Sequence, residues 1–288
     1  MNTAPFTDGY FWSRDGLRLH YRDYGGRDDR PPILCLPGLT RNARDFEGLA
    51  ARLAGDWRVI CLSLRGRGES AYAKDALTYV PLTYLHDVEV LVEELKLTRL
   101  VAIGTSLGGL ITMLIGATHP GLLAGAVLND VGPEIAPDGL ARIKAYVGKG
   151  GNWPTWMHAA RDIATTNAAV YPGYAIADWL RMAKQLCRIT NAGRIVWDYD
   201  ARIAEPFRLP GGETGVDLWP ALDGLAGVPT LSLRGELSDV FVAATQAEMA
   251  RRVPTLTPVV IPRVGHAPSL DEPEAVAAIE SFLHGLAA

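Results

Sequence analysis

The segment Leu100-Val101-Ala102-Ile103-Gly104-Thr105-Ser106-Leu107-Gly108-Gly109 passes from four consecutive apolar residues into a glycine-rich turn, then into a helical pattern that Pro120 ends. A short, unbroken apolar run suits a strand covered on both faces of a parallel sheet. The turn, Gly104-Thr105-Ser106-Leu107-Gly108, fits G-x-S-x-G, a pattern that means little by itself in a chain with 30 glycines. Its position gives it weight: strand, sharp turn and helix follow without a spacer, as a nucleophile elbow requires. A serine on such a turn needs neighbours without Cβ, so that strand and helix can close on each other and Oγ projects away from the sheet. The helix opening at Leu107 also aims its free N–H groups and positive dipole end at the same place.

The same rhythm repeats on either side. Ile33-Leu34-Cys35-Leu36 leads into Pro37-Gly38 and a helical pattern over 41–53, and Val59-Ile60-Cys61-Leu62 leads into Arg65-Gly66-Arg67-Gly68 and a helix near 82–95. Ala126-Val127-Leu128 leads to Asn129-Asp130, and a hairpin of 10–12 with 17–21 precedes them all. After Asp130 the alternation stops, to resume as a strand at 231–234, a helix at 240–251, a strand at 257–261 and a closing helix at 274–286 that Asp271 and Glu274 frame as a capping box. Right-handed crossovers put the loops after each strand along one edge of the sheet. The pattern predicts an α/β core at 1–131 and 226–288, a mostly parallel twisted sheet flanked by helices, with a helical cap inserted between two strands at 132–225. Five of the seven tryptophans, Trp153, Trp156, Trp179, Trp197 and Trp219, fall in that insertion. A lid over a pocket at the carboxyl ends of the strands explains their concentration, and so does a small core of the insertion's own.

Composition bounds the rest. With 48% hydrophobic and 21% charged residues, the chain can bury enough apolar surface to exclude intrinsic disorder. A formal charge of −4 offers no basic field for phosphate backbones, so no nucleic-acid partner is expected. The three cysteines, Cys35, Cys61 and Cys187, are widely spaced and odd in number, and predict reduced core residues. No membrane span is expected, and residues 1–15 carry neither a basic start nor an apolar block, which makes cytoplasmic residence the default.

A serine hydroxyl is a poor nucleophile at neutral pH; it needs a base within hydrogen-bond reach, and that base needs an orienting carboxylate. Six histidines are available, and only His266, in Val264-Gly265-His266-Ala267-Pro268, directly follows a sheet strand; His20, His86, His119, His158 and His284 lie on a hairpin, on helices or in the insertion. For the carboxylate, Gly235-Glu236-Leu237-Ser238-Asp239 follows the strand ending at Leu233, and Asp239 is the first choice, with Asp130 and Glu236 as alternatives. The order Ser106, Asp239, His266 is a known chain order for a triad. Acyl transfer also needs donors for the oxygen that becomes negative, and the N–H groups of Leu39, just past Pro37-Gly38, and Leu107 are the candidates.

Together, Leu36-Pro37-Gly38, Arg65-Gly66-Arg67-Gly68, Gly104-Thr105-Ser106-Leu107-Gly108-Gly109, Gly235-Glu236-Leu237-Ser238-Asp239 and Gly265-His266 make a chain that resembles the serine hydrolases of the α/β-hydrolase superfamily along nearly its whole length. The resemblance implies an α/β-hydrolase fold, a helical cap after the sixth strand, and no cofactor or metal. Many members have His where this chain has Pro37, so a side-chain contribution from that position is lost. Ser106 at the elbow sets the chain apart from epoxide hydrolases and haloalkane dehalogenases, which use aspartate there. The implied activity is hydrolysis of a carboxylic ester or lactone through an acyl-serine intermediate. C–C hydrolysis of a diketone-like ring-cleavage product, or a receptor without turnover, are the alternatives. The expected partner is a small ester-like molecule, with Trp153, Trp156, Tyr171, Tyr174 and Trp179 as candidate contacts, and a homodimer is compatible with the sequence. Arg65-Gly66-Arg67-Gly68 is expected to be a structural turn near the mouth of the site.

Overall fold

A computed structural model describes residues 5–208 and 217–287. An antiparallel hairpin, β1 (Thr7–Trp12) and β2 (Arg18–Tyr24), opens the chain. The core then alternates: β3 (Ile33–Leu36), α1 (Glu47–Leu53), β4 (Val59–Ser63), α2 (Pro81–Glu94), β5 (Leu100–Thr105), α3 (Leu107–Thr118) and β6 (Leu123–Asn129). The excursion that follows holds α4 (Pro137–Tyr146), β7 (Asn152–Trp153), α5 (Trp156–Asn167), α6 (Ile176–Leu186), β8 (Cys187–Ile189), β9 (Ile195–Trp197) and α7 (Trp219–Asp223). β10 (Thr230–Gly235), α8 (Ala243–Arg252), β11 (Leu256–Ile261) and α9 (Pro273–Ala287) complete the core.

Eight strands form one sheet in the order β1-β2-β4-β3-β5-β6-β10-β11. β2 meets β4 antiparallel, and β4 through β11 are parallel. β3, β4 and β6 are buried along their whole length, which is why they read as unbroken apolar runs rather than alternating ones. Cys35 and Cys61 are register partners in the sheet interior, and Cys187 is also buried and free.

The excursion is not purely helical: β7, β9 and β8 form a small antiparallel sheet of two- and three-residue strands, too short to leave a periodic signature. Its last helix, α7, packs on α3, where a Cβ on Gly224 would stand 2.5 Å from Ala117 Cα. The rest is tied to the core by polar contacts. Arg44 pairs with Asp198, Gly68 N–H donates to the Asp198 carbonyl at 3.0 Å, and Tyr79 Oη donates to Asp200 at 2.7 Å. At the start of α9 the Glu272 carboxylate, rather than the expected Asp271–Glu274 pair, accepts from Ser269 N–H at 2.8 Å, with Pro273 in the first turn. Among the described residues, no helix is long and apolar enough to cross a membrane.

Candidate active site

Ser106 stands between β5 and α3 with φ 51 and ψ −114, a backbone conformation that L residues rarely adopt. Close packing around it holds that conformation. A Cβ on Gly104 would lie 2.4 Å from the Gly108 carbonyl carbon, and one on Gly108 would lie 1.9 Å from the Leu36 carbonyl oxygen. The two glycines thus let strand, turn and helix touch, and Ser106 N–H donates back to the Asn129 carbonyl at 3.0 Å on the neighbouring strand.

His266 reaches the elbow from the loop after β11. Its Nε2 lies 3.0 Å from Ser106 Oγ and its Nδ1 lies 2.8 Å from Asp130 Oδ2. Because an ionised carboxylate only accepts, Nδ1 carries the proton and Nε2 presents its lone pair to the serine hydroxyl. Asp130 is fully buried, and its carboxylate is held by two more donors: Gly235 N–H to Oδ1 at 2.7 Å and Ser238 Oγ to Oδ2 at 2.7 Å.

The carboxylate on the imidazole is therefore Asp130, and the expectation of Asp239 is corrected. β6 lies directly between β5 and β10 in the sheet, so the residue following β6 is one strand spacing, about 4.8 Å, from the elbow. Asp239 turns the other way, onto Arg142 of α4, whose Nη2 donates to Oδ1 at 2.8 Å. That hydrogen bond holds the Asp239 carboxyl below its ordinary range. Glu236, the other alternative, accepts from Arg263 N–H at 2.8 Å at the surface. The loop after β10 does contribute to the constellation, through Ser238 and the Gly235 N–H rather than through Asp239.

Leu39 and Leu107 line the same cavity as Ser106 and His266, and among the described residues neither backbone N–H has an acceptor. Leu39 is held from behind by Arg67, which is fully buried, donates from Nε to the Leu39 carbonyl at 2.8 Å and lies over the Tyr84 ring at 4.9 Å. Arg65, also buried, pairs with Asp87 and Asp15. The Arg65-Gly66-Arg67-Gly68 turn is thus structural, and Arg67 braces the segment that carries Leu39.

The cavity above Ser106 has a volume of about 1180 Å³. Of the aromatic residues expected to face it, Tyr171 and Tyr174 do. Tyr171 Oη donates to the Ala267 carbonyl at 2.7 Å, next to His266, and burial pushes its hydroxyl well above the usual range. Trp153, Trp156 and Trp179 are not on the cavity wall. Trp179 is buried against Tyr174 at 5.0 Å, Trp153 meets the edge of Trp197 at 5.0 Å, and Trp156 packs on the core cluster beneath them. Trp197 and Trp219 supply the indole surface of the wall instead. Arg41 and Asp45 also line it, two charged residues for which the sequence offered no pattern.

Comparison with known proteins places the fold in a family. The Alpha/beta hydrolase family matches residues 33–279. The chain belongs to that family. It is 57% identical to an α/β hydrolase from Novosphingobium aromaticivorans, whose crystal structure superimposes with a TM-score of 0.94 over 98% of this chain and 99% of that one. A 3-hydroxybutyrate-oligomer hydrolase from Cupriavidus necator is 32% identical over 277 residues, 93% of each chain. A 2-(acetamidomethylene)succinate hydrolase from Mesorhizobium japonicum is 28% identical over 269 residues, 93% of this chain and 92% of its own. These α/β-hydrolase relatives are all named as hydrolases, and the eight-stranded, mostly parallel sheet flanked by helices is the α/β-hydrolase fold.

Proposed function

We propose that this α/β hydrolase cleaves a carboxylic ester or lactone through an acyl-Ser106 intermediate, with His266 as the base and Asp130 as its orienting carboxylate. The observation that carries the reading is the continuous relay from buried Asp130 through His266 to Ser106, both hydrogen bonds 3.0 Å or shorter, opening into a large cavity. Ser106 Oγ attacks the ester carbonyl as its proton passes to His266 Nε2. The imidazolium so formed is stabilised by the Asp130 carboxylate, which Gly235 N–H and Ser238 Oγ hold in place by donating to it. The oxyanion is received by the N–H groups of Leu39 and Leu107, two cavity-lining residues whose N–H groups have no acceptor among the described residues. His266 then protonates the leaving alcohol and activates a water that hydrolyses the acyl-enzyme.

The apolar wall contributed by the excursion, including Leu140, Ile143, Trp197 and Trp219, shields the acyl-enzyme from bulk water and strengthens each of these interactions. The name of the relative from Cupriavidus necator, an oligomer hydrolase for a hydroxy acid, supports an ester as the scissile group. The test compares the wild-type chain with Ser106→Ala on a panel of 4-nitrophenyl esters and lactones. Ester turnover should fall by about 10⁴-fold or more with the thermal transition unchanged. Equal turnover by the two proteins would overturn the proposal.

A further inference from the structure

Arg41 sits two residues past Leu39, on the wall of the catalytic cavity. A Cβ on Gly38 would stand 3.4 Å from Arg41 Cγ and 3.8 Å from Ser106 Cβ, so the arginine stem begins beside the nucleophile. Its Nη1 donates to Asp45 Oδ1 at 3.1 Å. Among the described residues that is its one side-chain partner: Nε and Nη2 donate to nothing, and Asp45 Oδ2 accepts from nothing. Both residues line the cavity, and their side chains are only 24% and 17% exposed. A guanidinium carries a fork of donors whose geometry matches a carboxylate. Here one edge of that fork is left open over the space a substrate must occupy. Of the cavity's other basic side chains, Arg142 holds Asp239 through two nitrogens, Lys149 is a flexible point charge, and Arg181, paired once with Asp178 as Arg41 is with Asp45, stands on α6 of the excursion rather than on the segment beside Ser106.

We infer that Arg41 recognises an anionic carboxylate on the substrate, so that the preferred ester carries a free acid a few bonds from the scissile carbonyl. The inference rests on the proposed hydrolase activity of Ser106 and specifies its substrate class. Asp45 tempers that preference: its carboxylate holds the arginine in place through Nη1 and opposes a second anion on the same guanidinium.

The test uses the full chain and two ester pairs whose members differ in charge. On the acyl side, 4-nitrophenyl hemiglutarate is compared with 4-nitrophenyl pentanoate. On the alcohol side, the butyryl ester of 4-hydroxybenzoate is compared with that of 4-hydroxybenzamide. Arg41→Gln should lower the charged-over-neutral ratio of kcat/KM by about 10- to 100-fold in at least one pair, the size of a lost hydrogen bond to a charged group. Asp45→Asn should raise that ratio, and it carries the test should Arg41→Gln fail to fold. A second arm titrates glutarate calorimetrically into the Ser106→Ala protein with and without Arg41→Gln, and affinity should drop by the same factor. Ester turnover with ratios unmoved in both pairs, and glutarate binding indifferent to Arg41, overturns the anion site while leaving the hydrolase reading intact. Arg41-dependent glutarate binding without any ester turnover does the reverse.

Discussion

Replacing Asp130 by asparagine separates the two candidate carboxylates with almost no change of shape. Asp130 Oδ1 faces the Gly235 backbone N–H, whereas Oδ2 faces the Ser238 hydroxyl and the His266 ring. A backbone N–H cannot reorient, but a hydroxyl can rotate and an imidazole can exchange tautomers. The new amide NH₂ therefore takes the Oδ2 position, where it donates to His266 Nδ1. The ring's proton is then forced onto Nε2, pointing at Ser106 Oγ, and no lone pair remains to accept the serine proton. An enforced wrong tautomer of this kind costs about 10⁴-fold in kcat in a related Ser-His-Asp constellation, equivalent to about 5.5 kcal/mol of barrier. Asp239→Asn breaks only its pair with Arg142, whose members are 37% and 33% exposed. It should cost less than about 1 kcal/mol of stability and change kcat less than about 3-fold. Initial rates on 4-nitrophenyl butyrate, with circular dichroism to confirm folding, measure both variants. A larger loss for Asp239→Asn than for Asp130→Asn would refute the assignment drawn from the hydrogen bonds.

Three further outcomes follow from the same contacts. Gly108→Ala forces a methyl against the Leu36 carbonyl and should destabilise the fold by about 3 kcal/mol or more, whereas Gly173→Ala, with nothing within 4 Å of the new carbon, should have little effect; chemical denaturation reads both. Tyr171→Phe removes the hydroxyl that donates to the Ala267 carbonyl, and should lower kcat by about 3- to 10-fold as the loop carrying His266 loosens, with a modest drop in the thermal midpoint. Asp15 is held at about 2, against an ordinary 3.8, mainly by its hydrogen bond from Arg65. A lowered carboxylate pKa contributes stability that is full above the unfolded value and lost as pH falls through the folded one. Asp15→Asn should therefore flatten the loss of stability between about pH 3.8 and pH 2, measured by urea unfolding across that range.

What the sequence revealed and what it concealed divide along the range of the interactions. The elbow was legible because its determinants are local: an apolar run, two glycines and a helix start, all between Leu100 and Gly109. The α3 span came out as expected for the same reason, with Pro120 close behind its end. His266 was found by elimination among six histidines, since only it follows a sheet strand. The carboxylate was not, because choosing among Asp130, Glu236 and Asp239 requires the lateral order of strands, and nothing in the linear pattern states that β6 lies between β5 and β10. The signal for Asp130 was present in its place at the end of a buried run, but position along the chain alone weighs it no more heavily than Asp239. The tryptophans failed for a similar reason. Trp153, Trp179 and Trp197 share composition and neighbourhood, and only packing decides that the last faces the cavity while the others support it. Arg41 and Asp45 stood in an ordinary i,i+4 helical pattern with no mark of the cavity they enter.

The most direct test of the central claim is chemical trapping of the nucleophile. A fluorophosphonate should add one phosphonyl group to the wild-type chain, and peptide mass spectrometry should place it on Ser106. The adduct should vanish in Ser106→Ala and form far more slowly in Asp130→Asn. Labelling of another serine, or labelling that proceeds at the wild-type rate without Asp130, would contradict the relay from Asp130 through His266 to Ser106.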